Sequence, residues 1–402
     1  MKILHVIGGS FEDGAFKGVN ILHKNLKELG IESKILNNRL KNKDDINNEI
    51  LEDTIFIHDS LLKNFFGSLI LIFEKLLKFI FLPSPRSTFT LSIFGYDITK
   101  LKIYKESDII HIHWLDQNFI KISSLSKIKK PIVWTMRDMW PFTGGSHYTM
   151  DFEKYEKSLL SRTIKNFKKK NYPKQINFIA ISNWLQLEAK KSFVLNNYNV
   201  KKIYNNIDLR DFDLLTKAEA RSKIKISTSK KIILYGAQNP QSQRKGWDIF
   251  KETLRKLDKS KYFLLIFGNF WSEKDLDKIG IEYKSLGFIN DKKILNQIYS
   301  SSDIFIFTSL QEAFGKTWAE AVTCGIPVVC FKETSPSEII EHKVDGYIVN
   351  QINSDKLKEG IEWISNNWVN DNEKKVINKK TFFFESKNIA SQYLEIYKKI
   401  LN

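Results

Sequence analysis

Cysteine is nearly missing from this chain: 402 residues carry two, Cys324 and Cys330. Their number and spacing suit neither a disulfide framework nor a zinc site, and they predict a reducing compartment. Acid is in deficit too, with 46 Asp and Glu against 63 Lys and Arg, a formal charge of +17. The excess has two readings: an acidic partner (nucleic acid, anionic lipid or a phosphorylated small molecule), or a lysine-rich surface without such meaning. The opening MKILHVIGG meets its glycines before a signal-peptide core develops, so a cytoplasmic location is expected. Internal repeats and low-complexity segments are not evident. Disorder is excluded by composition, 42% apolar and 13% aromatic.

What is present is alternation. Apolar β-branched runs alternate with helical patterns, which predicts parallel sheets covered by helices. Strands are expected at Ile3–Ile7, Ser33–Leu36, Ile109–His113, Ile132–Thr135 and Phe178–Ile181, then at Ile232–Tyr235, Phe263–Phe267, Ile304–Thr308 and Pro327–Phe331. A chain of this length needs more than one core. The expected fold is therefore α/β, two doubly wound Rossmann-like domains facing a central cleft, with ligands at the carboxyl ends of the strands. The segment Ile207–Ser229 lacks a strand signal and reads as the linker, which gives domains 1–207 and 208–385. Residues 386–402 are expected to form a helix that packs back on the first domain.

Ser60–Leu82 departs from the scheme. Ser60, Lys63, Asn64, Gly67, Ser68, Glu74, Lys75 and Lys78 fall within roughly 140° of a helical wheel, and the rest is apolar. The uncharged stretch Asn64–Phe73 is too short to span a bilayer. Two readings stay open: a helix lying in the membrane surface through Leu69, Ile72, Phe73 and Leu76, and a helix packed inside the first domain. The basic run Lys165–Lys170 with Lys174 likewise reads either as a lipid-facing patch or as a solvated face.

The stretch EAFGKTWAEA, Glu312 to Ala321, carries the chemistry. A loop runs into a helix near Gly315, and the N–H groups of Gly315, Lys316 and Thr317 can hold a phosphate oxygen, about 1.5–3 kcal/mol for each charge-assisted bond. Glu312 and Glu320 flank that anion site. A nucleotide diphosphate sugar accounts for both, because sugar and ribose hydroxyls donate to carboxylates.

Glu312-x7-Glu320, Cys324-Gly325-Ile326-Pro327-Val328-Val329 and Asp345-Gly346 resemble the signature of the retaining glycosyltransferases of family 4, which have the GT-B fold. Arg244-Lys245-Gly246 is similar to that family's basic motif, and Ile181-Ser182-Asn183-Trp184 and Asn205-Asn206-Ile207-Asp208 to the segments leading into its linker. His111-Ile112-His113-Trp114 and Trp134 to Gly145 resemble its capsule and exopolysaccharide branch.

The resemblance implies transfer of a sugar from a nucleotide diphosphate donor to a glycan or lipid-linked saccharide, without metal or other cofactor. It gives Glu312, Lys245, Arg244, His113 and Asp138 catalytic parts, and gives Gly14, Arg137, Gly315, Lys316, Thr317 and Glu320 contacts to the donor. His111 and His113 are read as pointing to opposite faces of their strand, and His113, nearer its carboxyl end, is assigned to the cleft. Departures are notable. Arg137 stands where the family often has His and cannot serve as a base, Ser146 stands where it often has Cys, and Asp13 and Ala15 flank Gly14.

A GT-B epimerase or phosphorylase is the enzymatic rival. A basic nucleic-acid binder is the rival of another class, disfavoured by the dispersed basic residues and the lack of a recognisable module. The membrane reading adds the inner membrane face as a peripheral location.

Overall fold

The computed structural model describes residues 1–38, 52–57, 69, 72–73, 75–76, 79–80, 87–115, 118–213, 215–270, 274–368 and 379–402. The chain forms two compact units, Met1–Asn206 with Ser386–Asn402, and Ile207–Glu385.

The first unit holds a seven-stranded parallel sheet: β1 Lys2–Val6, β2 Glu32–Asn37, β3 Thr54–Phe56, β4 Ile109–Ile112, β5 Ile132–Met136, β6 Asn177–Ala180 and β7 Val200–Lys202, in the order β3-β2-β1-β4-β5-β6-β7. The second holds six: β8 Lys231–Gly236, β9 Tyr262–Phe267, β10 Glu282–Ser285, β11 Ile304–Phe307, β12 Val328–Phe331 and β13 Gly346–Val349, in the order β10-β9-β8-β11-β12-β13. Chain order reverses beside β1 and β4 in one sheet and beside β8 and β11 in the other. Loops leaving those carboxyl ends diverge to opposite faces, which opens a crevice.

Four strands lie outside the sequence expectation: β3, β7, β10 and β13. They are the four sheet edges. A strand paired on one side has no need for the continuous apolar run that marks a buried parallel strand; β10, Glu-Tyr-Lys-Ser, has no fully buried residue.

The helix Gly14–Glu28 buries Phe16, Val19, Leu22 and Leu26, a helical spacing facing the sheet. The last helix, Ser386–Leu401, completes the same core, with Ile389, Ala390, Tyr393 and Tyr397 against Leu22, Leu26, Ile109 and Val133.

Two expectations require correction. The segment 207–229 is part of the second unit and not a free linker. Its helix Lys217–Lys223 opens on a Thr216/Glu219 capping box, and Lys217 and Arg221 pair with the Asp303 carboxylate at 2.7 and 2.8 Å. The basic run is not uniformly solvent-facing: Lys165 pairs with Glu156 at 2.6 Å, and Lys168 is fully buried, donating to the Trp140 carbonyl with its ammonium 3.6 Å from the Trp140 ring centre. In the segment 69–80, the described positions are helical, and Leu69, Ile72, Phe73, Leu76, Phe79 and Ile80 are exposed, Phe79 at 87%. At 100° per residue these six fall within about 120° of arc. Ser60, Lys63, Asn64, Gly67, Ser68, Glu74 and Lys78, the polar side expected for this helix, lie outside the described residues. Among the described residues no helix is long and apolar enough to cross a membrane.

Candidate active site

In the second unit, the loops after β8 and β11 converge. Gly246 closes the Arg244-Lys245 turn with φ +71°, and a Cβ there would meet the Thr308 carbonyl oxygen at 2.2 Å. The turn is tied down through its backbone: the Lys245 carbonyl accepts from the hydroxyls of Thr308 at 2.7 Å and Tyr235 at 3.1 Å, and the Arg244 carbonyl accepts from Leu310 N–H at 2.7 Å. This anchoring aims both cations at one carboxylate. Glu312 Oε2 accepts from Arg244 Nη1 at 3.1 Å and from the Lys245 ammonium. All three side chains are mostly buried, at 13–19% exposure. Two cations thus share this one carboxylate.

Beside them the helix Lys316–Thr323 begins, with Gly315 as its N-cap at φ +78°. A Cβ on Gly315 would run into the Phe307 ring at 2.6 Å. In the second turn Glu320 is buried, and both its oxygens are engaged: Lys292 Nζ donates to Oε1 at 2.6 Å and Tyr299 O–H to Oε2 at 2.9 Å. Burial lowers the basicity of Lys292, but the Glu320 carboxylate outweighs that and raises it above the ordinary lysine value. Asp211 nearby is raised by burial, then by the Asp208 charge.

In the first unit, His111 and His113 share a face. A strand alternates with a period of two, so residues two apart point the same way; the assignment to opposite faces was an error of periodicity. Their rings lie 3.9 Å apart, and His5, in register with His111 on β1, joins them with its Nδ1 2.9 Å from His113 Nε2. His111 is saturated by the hydroxyls of Tyr397 at 2.6 Å and Thr135 at 2.8 Å. Burial first, and then neighbouring charges including the Arg137 guanidinium, push all three imidazoles well below their ordinary value, so they stay neutral at pH 7. Their nitrogens gather within 4.8 Å. The set fits a metal poorly: both His111 nitrogens are already bonded, and a cation would stand near Arg137.

Arg137, at the end of β5, donates through Nη1 to Asn205 Oδ1. Its Nε is buried without a hydrogen-bond partner, and no carboxylate pairs with it among the described residues. Asp138 is otherwise occupied. Its Oδ2 accepts from Trp114 Nε1 and from His147 Nδ1, each at 2.6 Å, and its Oδ1 from the Trp140 N–H at 2.9 Å. Such a carboxylate holds the 138–147 loop in place. Gly14 is exposed at the start of its helix, with open space around it.

Residues 216–381 match the family described as glycosyl transferases group 1. The matched segment lies within the second unit. Two curated relatives extend the likeness across most of the chain: an uncharacterised glycosyltransferase of Methanocaldococcus jannaschii, 26% identical over 72% of this chain and 75% of its own, and an uncharacterised 41.2 kDa protein from the cps region of Klebsiella pneumoniae, 21% identical over 80% and 87%. The crystal structure of Anabaena HepE in complex with UDP and glucose is similar with a TM-score of 0.64 at 18% identity, covering 99% of both chains. The fold is GT-B, two parallel-sheet Rossmann-like units.

Sequence reasoning missed Lys292, Tyr299, His5, His147 and the Asn205 contact to Arg137. No motif marks Lys292, which lies 28 residues before its partner Glu320. His5 was legible in principle, since it stands at a core position of the first strand, where a polar residue needs a reason.

Proposed function

We propose that the chain is a retaining, metal-independent hexosyltransferase that moves a sugar from a nucleotide diphosphate sugar to a glycan or lipid-linked saccharide in cell-surface polysaccharide synthesis. The observation that carries this reading is the Arg244/Lys245/Glu312 cluster beside the Gly315-capped helix. It sets two cations and one carboxylate beside a helix N-terminus, the chemistry a diphosphate requires. The UDP and glucose bound by HepE and the cps-region origin of one relative support the donor class and the pathway class respectively.

In this reading a diphosphate takes over the two cations. Lys245, Arg244 and the N–H groups of Gly315, Lys316 and Thr317 stabilise the negative charge that grows as the sugar leaves. Glu312, relieved of its cations, accepts from sugar hydroxyls and fixes the ring. Glu320, held by Lys292 and Tyr299, offers its remaining lone pairs to the ribose. The first unit takes the acceptor, with His113 just past the end of its strand; Gly14 and Arg137, which the resemblance gives to the donor, are assigned here to the acceptor side of the same unit. Asp138, bonded on both oxygens, positions the neighbouring loop and is no free nucleophile. Retention then follows from attack on the face the diphosphate leaves.

The exposed stripe Leu69, Ile72, Phe73, Leu76, Phe79 and Ile80 favours the inner membrane surface over core packing for this helix. Replacing Ile72 and Phe73 together with Asp releases the folded protein from phospholipid vesicles; unchanged sedimentation with vesicles removes the membrane from the proposal.

The decisive experiment is thermal-shift titration with UDP-, GDP-, ADP- and dTDP-sugars, followed by transfer with the responding donor in excess chelator and determination of the product's anomeric configuration. A saturable rise in Tm and chelator-resistant transfer with retained configuration are expected. No response to any nucleotide sugar overturns the reading, and release of sugar without an acceptor favours an epimerase or phosphorylase.

A further inference from the structure

Among the described residues Arg137 has no counterion. Its guanidinium donates to the neutral Asn205 amide, its Nε is buried without a partner, and no carboxylate pairs with it among the described residues. Burial lowers its basicity, and the neighbouring phenols of Tyr393 and Tyr397 are neutral at pH 7. The three histidines whose basicity it depresses are neutral as well. A partly buried guanidinium without a counterion gains free energy when an anion pairs with it.

The guanidinium is closely packed on one side. Gly18 faces the guanidinium from the helix Gly14–Glu28: a Cβ there would lie 2.9 Å from Arg137 Nη1 and 3.3 Å from the side-chain oxygens of Asn205 and Asn206. Asn206 donates to the Gly18 carbonyl at 2.9 Å and holds that wall in place. His113 Nδ1 is a further buried nitrogen without a partner. The fork of an arginine matches the two oxygens of a carboxylate or the edge of a phosphate.

We infer that Arg137, with Gly18, Asn205 and Asn206 around it, is an oxyanion subsite, and that the saccharide bound by the first unit carries a carboxylate or a phosphate there. This rests on the glycosyltransferase reading for the identity of the ligand, but not for the binding of the anion. It makes Arg137 a specificity determinant. A neutral saccharide leaves the guanidinium uncompensated, and an acidic sugar or a phosphorylated saccharide satisfies it.

The test is ligand-dependent melting of the full chain at constant ionic strength with glucose, glucuronate and methyl phosphate, for wild type, Arg137→Met and Arg137→Lys. The expected result is a saturable rise of several degrees in wild type with glucuronate, methyl phosphate or both, at about 100 times Kd, and none with glucose. A response to glucuronate alone assigns an acidic sugar, and to methyl phosphate alone a phosphorylated saccharide. Arg137→Met removes the response, and Arg137→Lys weakens it because a single ammonium lacks the fork. UDP titration of the same variants checks the fold. A UDP response in all three with equal anion responses in wild type and Arg137→Met overturns the subsite, and so does a wild type that does not distinguish glucuronate and methyl phosphate from glucose. A missing UDP response in wild type counts against the donor reading and leaves the anion comparison standing.

Discussion

The two units treat their buried cations in opposite ways. In the second, Arg244 and Lys245 share Glu312, and Lys292 is paired with Glu320. In the first, Arg137 has an amide for a partner and neutral imidazoles for neighbours. A cation paired with a carboxylate is stable in the empty protein and can be handed to a stronger anion when one arrives. A cation without one waits for its ligand in a costly state, and that cost can be returned as selectivity. The first arrangement suits a diphosphate whose charge changes during reaction, and the second a fixed anionic group that is only recognised.

The contrast can be broken at Lys245 first. Lys245→Ala is expected to lower kcat by roughly 10²–10³-fold, measured by transfer at saturating donor; a near-normal kcat would make Lys245 a partner for Glu312 and nothing more. Glu312→Gln comes next. It should cut transfer by about 10²-fold through lost positioning, while nucleotide diphosphate affinity, followed by calorimetry, holds or tightens because two cations lose a competing carboxylate. Joint loss of transfer and affinity would show that Glu312 supports the fold. Glu320→Gln should raise donor KM about tenfold with a smaller change in kcat, the mark of an interaction present in ground and transition state alike; the reverse split would move Glu320 to the reacting sugar.

The smallest effect sharpens the other side of the comparison. The unfolded chain takes up protons on its histidines near pH 6.5, while His5, His111 and His113 resist protonation in the fold. Between the depressed and ordinary values the unfolded state binds more protons, so stability is full above pH 6.5 and falls as pH drops towards the folded values. Melting at pH 7 and pH 5 should differ by several degrees, and His111→Gln should reduce the difference. A pH-independent Tm would mean that the cluster is protonated in the native state.

Alternation in the sequence was enough for the α/β class, because central parallel strands are buried on both faces and must be apolar throughout. It was not enough for β3, β7, β10 and β13, where one-sided pairing relaxes that demand. The sequence also placed Gly315 where a loop runs into a helix, and it adopts positive φ with no room for a Cβ. It could not reveal that Lys168 turns inward beneath Trp140 within a run that looks solvated, because the partner is 28 residues away. His111 and His113 illustrate a different limit. The alternation rule itself puts them on one face, and the reading misapplied it, whereas the stacking of His5 on that pair depends on β1 and β4 being neighbours.

By itself, then, the sequence determined what is local or periodic: the sheet-and-helix pattern, the helix end at Gly315 and the Glu312–Glu320 interval. Those follow from backbone sterics and from hydrophobic burial acting at fixed spacing. Only the tertiary structure decided which charges meet. Glu312 is 67 residues from Lys245, and Arg137 is 68 from Asn205. Coulomb energy depends on separation in space and on how much water is excluded, and neither quantity is written in the order of residues along the chain.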